Sequence, residues 1–177
     1  MNTILRASTC VSAGLVVYLF FCSAAAFAQA QETEKEIAVV EVGGAAGRSL
    51  DGGGSNVGGD IAVEVTPIEH WLEIEAGVTP LFNRRSKEWD MDILFKKPWT
   101  LSKTAEIMAG AGPLWAHVSE DRVATNSAGI EAALDFMFWP SRKRRFGWFL
   151  EPGYDHTFGR GREQSVGLSF GLLIAIP

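Results

Sequence analysis

Cysteine is nearly missing from this 177-residue chain, and both copies, Cys10 and Cys22, fall within its first 30 residues. If that stretch is removed, no disulfide and no thiol chemistry are available to the remainder. Histidine is scarce too. His70, His117 and His156 are scattered without metal-ligand spacing, so no metal site is expected. Positive charge falls short of negative, 16 Lys and Arg against 21 Asp and Glu, and the net −5 argues against a nucleic-acid partner. The glycine-rich stretch Asp51-Gly-Gly-Gly-Ser-Asn56 lacks the Gly-Lys-Ser/Thr of a phosphate loop and reads as a flexible connector. With no redox or nucleotide motif either, no cofactor is expected. Finally, no apolar run after residue 30 is long enough for a membrane helix, which needs about 20 residues. Any membrane role must be built from strands.

The first 30 residues have their own logic. Met1-Asn-Thr-Ile-Leu-Arg6 is short and positive, Ala13 to Cys22 is an apolar run of ten, and Ser23-Ala-Ala-Ala-Phe-Ala-Gln-Ala30 is rich in small residues. That order is a secretory signal peptide, cut after Ala28 or Ala30. Cleavage at Ala28 makes residues 1–28 the leader and 29–177 a single domain of 149 residues (177 − 28).

Past the leader the dominant signal is a period of two. It is clearest in Gln164 to Pro177, where Val166, Leu168, Phe170, Leu172, Ile174 and Ile176 alternate with Ser165, Gly167, Ser169, Gly171, Leu173 and Ala175. Successive side chains of a strand point to opposite faces, so one face is greasy and the other small or polar. Eight such segments are predicted, over 36–47, 57–66, 71–82, 89–98, 104–118, 127–139, 145–158 and 164–176. Their even spacing predicts an all-β barrel or sandwich. Pro80, Pro113 and Pro152 fall within these strands, and Pro113, following Gly110 and Gly112, predicts a bulge.

The face opposite the greasy one carries Glu64, Glu73, Glu75, Asp90, Asp92, Glu106, Glu131, Asp135, Glu151 and Asp155, with Lys96 as essentially its one base. A soluble barrel would turn the greasy face inward; a membrane barrel does the reverse. The aromatics favour the membrane. Trp71, Trp99, Trp139, Phe146 and Trp148 fall near one set of strand ends, and Phe82, Trp89, Trp115 and Phe158 near the other. Two belts suit two bilayer interfaces, whereas a soluble core would gather its rings mid-strand.

Leader, eight amphipathic strands, short turns on one side and rim aromatics together resemble the small eight-stranded outer-membrane β-barrel proteins of Gram-negative bacteria. The resemblance covers the whole mature chain and is architectural. It implies an antiparallel up-and-down transmembrane barrel in the outer membrane, with outer-membrane lipid and lipopolysaccharide as surroundings and the barrel-assembly machinery as a partner during insertion. With an even strand count both termini lie in the periplasm. No motif assigns an activity, and the fold hosts many. The expected role is non-catalytic, structural or surface-interacting, with two alternatives: a lipid A-modifying esterase and a soluble periplasmic barrel that binds an apolar ligand.

Three groups of residues carry the candidate chemistry. His117-Val-Ser119 with Glu131 has the residue types of an acyl-transfer triad, nucleophile, base and orienting carboxylate. The spacing is similar to the His-x-Ser and later Glu of lipid A 3-O-deacylases. Here, however, Glu120-Asp121 follow the serine, and strand parity sends His117 and Glu131 to opposite faces unless residues 118–130 bulge. The plainer expectation is a rim histidine and a loop serine. Second, Arg48, Arg84, Arg85, Lys87, Arg122, Arg160 and Arg162 fall in outer loops on this topology, where lipopolysaccharide phosphates would meet them. The cluster Arg142-Lys-Arg-Arg145 falls at the other end, in a turn expected to face water. Third, the inward acids read as a hydrogen-bonded, partly hydrated core, the alternative being a cation-binding lumen.

Overall fold

The computed structural model describes residues 38–176, apart from 53, 85, 121–122, 142 and 159–163. The expected leader lies outside these residues. Eight strands follow one another: β1 (Ala38–Ser49), β2 (Ser55–Ile68), β3 (Leu72–Phe82), β4 (Ser86–Thr100), β5 (Ala105–Glu120), β6 (Val123–Phe138), β7 (Phe146–Phe158) and β8 (Gln164–Ile176). Each pairs antiparallel with its sequence neighbour, and β1 pairs with β8 to close a barrel. The strands are longer than the alternation predicts where hairpins turn at the outer rim. β5 and β6 continue to Glu120 and from Val123, leaving two residues where a connector of eight is predicted. Polar alternation there has no greasy face to signal it, yet ladder pairing persists.

The registers fix the barrel's geometry. Starting at Val39, successive register positions are Glu64, Glu75, Leu94, Gly112 (opposite Leu94 by the register on either side of a short gap), Glu131, Asp155 and Ser165, and the walk returns to β1 at Ser49. The stagger is thus ten residues (39 to 49) over eight strands. Such a shear tilts the strands about 35–45° and leaves an interior just wide enough for side chains.

The prolines behave differently from the expected bulge. Pro113 causes no register shift. Instead the β4–β5 ladder pairs Asp92 with Leu114 and Phe95 with Ala111 but skips the two positions between. Pro80 leaves the same two-position gap between β2 and β3, and Pro152 between β6 and β7. A strand residue turns its N–H and C=O toward one neighbour, so a proline withholds a bond on one side only. On the other side each pairs normally, with Trp89, Ile130 and Leu168. The one register shift, between Val65 and Ile68, sits at Pro67, where β2 runs into a tight turn closed by His70 at φ 61°.

At two of the gaps the backbones crowd. A Cβ on Gly58 would overlap the Pro80 carbonyl oxygen, and one on Gly112 the Ile93 carbonyl oxygen. Gly112→Ala is therefore expected to lower stability by about 1–3 kcal/mol. Gly59→Ala, whose Cβ would meet nothing nearer than 3.9 Å, is the control. Equal urea midpoints for the two variants would refute the crowding.

The greasy face is outward. Val42, Ile61, Met91, Ile93, Phe95, Ile130, Leu150, Leu168, Phe170 and Leu172 are all exposed, while the carboxylates are inside. At the end where β1 starts and β8 finishes, Trp71, Phe138, Phe146 and Trp148 are exposed; at the other, Phe82, Trp89, Trp115 and Phe158. Trp139 does not join the belts as predicted. It follows Phe138 onto the inward parity, is 1% exposed, and packs with Val39, Met108, Met137, Phe149 and Leu173 into an apolar plug.

Candidate functional site

Above the plug the interior turns polar. Lys96 is fully enclosed and its ammonium contacts the carboxylates of Glu75, Asp135 and Glu151, the last at 2.6 Å. Strand parity brings the four together: all are inward positions, and Glu73, two residues below Glu75, registers with Lys96 across β3 and β4. The three carboxylates offer donor atoms within 4.8 Å of one another, a spacing that an ammonium with three donors satisfies. Nearer the termini, Arg144 departs from the expected water-facing turn. At φ 45° its side chain folds under the barrel, donates to Glu106 Oε2 at 2.7 Å and lies over the Trp139 ring at 5.9 Å. Sequence reading missed this because a four-residue basic run carries no sign of which member turns inward.

Over the Lys96 layer a cavity of about 270 Å³ runs to the loop end. Glu75 and Glu151 form its floor, Asp60, Asp92, Glu131 and Asp155 its wall, and Ser49, Gly54, Asn83, Ser86 and Glu120 its mouth. The wall is partly tied. Thr79 Oγ1 donates to Asp60 Oδ1 at 2.9 Å and Ser165 Oγ to Asp155 Oδ2 at 3.1 Å. At the mouth, Asn83 donates to Asn56, and Asn56 to Glu88. The interior is a cup with one opening, since the plug stops it at the other end.

The candidate triad is split by the wall. His117 lies on the outward face, its Nδ1 2.7 Å from Asn126 Oδ1, its ring stacked on Trp115 with centroids 5.8 Å apart. Ser119 pairs with Ala124 one step on. Glu131 is across the wall, lining the cup. The β5–β6 register is unbroken from Ala105↔Phe138 to Glu120↔Val123, so no bulge in residues 118–130 brings Glu131 round. Of the candidate loop bases, Arg48 and Lys87 are exposed on the outward parity of β1 and β4, and Arg84 is exposed in the turn beside Lys87. Arg85, Arg122, Arg160 and Arg162 lie outside the described residues.

No family model and no curated protein matches this sequence. Solved structures do. Neisserial surface protein A superposes with a TM-score of 0.61 at 12% identity, over 78% of this chain and 96% of that one. OprG from Pseudomonas aeruginosa gives 0.62 at 11%, over 84% and 99%. The chain has the fold of the small eight-stranded outer-membrane barrels. The outer membrane enzyme PagL shares it too, with a TM-score of 0.52 at 14% identity over 77% and 99% of the two chains. An apolar exterior between two aromatic belts is stable only against lipid. With this fold it marks an outer-membrane barrel, with the start of β1 and the end of β8 at the plugged end and the cup open at the other.

Proposed function

We propose that this barrel is a non-catalytic outer-membrane protein with a structural or surface-interaction role, its outer rim meeting lipopolysaccharide phosphates. The observation that supports it is the wall between His117 and Glu131: the residue types of an acyl-transfer unit are present but not within reach of one another. The plugged lumen argues against a solute channel, and the similarity to a neisserial surface protein agrees with the reading. Arg84 and Lys87 are exposed in the hairpin that carries the outer aromatics Phe82 and Trp89, and Arg48 is exposed near the same end of β1; lipid phosphates lie at the depth of such a belt, and guanidinium forks suit phosphate. Insertion of such a closed barrel would proceed through the barrel-assembly machinery.

Two measurements test the reading. Lipid A from cells with and without the protein is expected to give identical acylation in a mass spectrum; loss of one acyl chain, abolished in Ser119→Ala, would establish the esterase instead. Refolded protein in zwitterionic micelles is expected to bind purified lipopolysaccharide at least fivefold more weakly after Arg48→Ala, Arg84→Ala and Lys87→Ala are combined. Unchanged binding would remove the rim bases from the account.

A further inference from the structure

The outward face of β4, β5 and β6 changes its chemistry in steps as it rises to the outer rim. The registers set the steps out as rows. Met91 lies opposite Trp115 in the lowest row. Trp89, His117 and Asn126 make the next, each registered with its neighbour. Lys87 lies opposite Ser119 in the uppermost. Two residues of strand separate one row from the next, a rise of about 7 Å. Side chains directly opposite one another have Cβ atoms about 4.5–5.5 Å apart, so each row is a contiguous strip. The acids of these strands near the rim, Glu88, Asp90 and Glu120, line the cup instead. No described outward position of β4, β5 or β6 carries a carboxylate.

The lowest row is apolar and continues the band that meets acyl chains. In the middle row the Asn126 side chain is exposed, and its Oδ1 lies 2.7 Å from His117 Nδ1. With the amide oxygen so engaged, its two N–H bonds remain to donate elsewhere. Beside them Trp89 presents a half-exposed indole. In the top row the exposed Lys87 forms no ion pair among the described residues, and it sits with the Ser119 hydroxyl. Ammonium and hydroxyl together suit a phosphate. A glycerophospholipid would match the first and last rows but has no ring for the middle one. A sugar does: the C–H groups of a pyranose lie flat on an indole face, and its hydroxyl and acylamino groups accept from an amide. We propose that this face seats the phosphorylated amino-sugar headgroup of lipid A. A phosphate meets Lys87 and Ser119, the sugar meets Trp89, His117 and Asn126, and an acyl chain runs down Met91 and Trp115. The proposal rests on the rim reading above and confines it to one face. It gives His117 and Ser119 a binding role that does not need Glu131.

The test uses full-length mature protein refolded into zwitterionic micelles. Calorimetry compares bisphosphorylated lipid A with phosphatidylglycerol, which has phosphate and acyl chains but no sugar. Wild type is expected to bind one lipid A per barrel, at least tenfold more tightly than phosphatidylglycerol. Trp89→Ala combined with Asn126→Ala is expected to erase that preference. Lys87→Ala is expected to weaken both lipids. Heat-modifiable gel migration checks that each variant is folded. Should the first pair fail to fold, Ser119→Ala with Asn126→Ala is expected to weaken lipid A at least fivefold. Equal affinity of wild type for the two lipids would overturn the proposal, because the middle row would then recognise nothing. Lipid A binding that survives the middle-row changes but is lost on combining Arg48→Ala and Arg84→Ala would also overturn it, while leaving the rim bases in place. If neither set of changes lowers binding, both readings fall.

Discussion

Lys96→Met is expected to be among the most damaging single substitutions in the barrel, lowering its stability by about 3–5 kcal/mol. Methionine fills a similar volume, so the loss reports charge rather than a cavity. Without the ammonium, Glu75, Asp135 and Glu151 would face one another inside a low-dielectric wall with nothing between them. The measurement is the urea midpoint of reversible folding in lipid vesicles, paired with Glu75→Gln in the Lys96→Met background. The second change removes one of the orphaned charges and is expected to recover part of the loss. Calcium should do likewise, because the three carboxylates already present donors within 4.8 Å. A Lys96→Met midpoint within error of wild type would show that the cluster contributes no net attraction.

Leu168→Arg is the complementary experiment on the outside of the same wall. Leu168 is an exposed, outward residue midway along β8, registered with Ala46 and Pro152 and remote from both aromatic belts. An arginine there would sit near the bilayer midplane, a cost of about 2–4 kcal/mol. Leu134→Arg on β6 is expected to cost a similar amount, whereas Ala124→Arg, on the same outward face of β6 but at the rim, is expected to cost under about 1 kcal/mol. Folding into vesicles of defined thickness reads all three. Equal effects at all three positions would mean that the lipid-facing band is not where the belts place it.

Which parts of this molecule could be seen in its residues follows from how far each signal reaches. Alternation is a property of neighbours, so the eight strands, their faces and the inward carboxylates were readable one segment at a time. The outer and periplasmic belts followed from the strand order. Partners across the barrel were another matter. Lys96 stood out as a lone base, but that it gathers Glu75, Asp135 and Glu151 depends on a stagger summed over several ladders. The same holds for Trp139, which by distance from the strand end belongs to a belt and by parity belongs to the plug. The triad shows the opposite case: parity alone separates His117 from Glu131, and only an irregularity could have rejoined them. For the prolines, the expectation of a bulge at Pro113 failed because a missing donor need not shift register. The wall tolerates a short gap in one ladder when the other ladder stays intact.

The placing of those gaps has a mechanical meaning. They fall between β2 and β3, β4 and β5, and β6 and β7, all pairs joined at the periplasmic end. Every pair joined at the outer end is fully laddered, as is the closure of β8 on β1. The cylinder is therefore made of stiff panels, β3–β4, β5–β6 and the four-strand panel β7–β8–β1–β2, meeting at three softer seams. Squeezed by a crowded or thinned bilayer, it would flatten by folding along those seams rather than by bending a panel. Backbone amides flanking Pro80, Pro113 and Pro152 would exchange with solvent deuterium well before those in the panels.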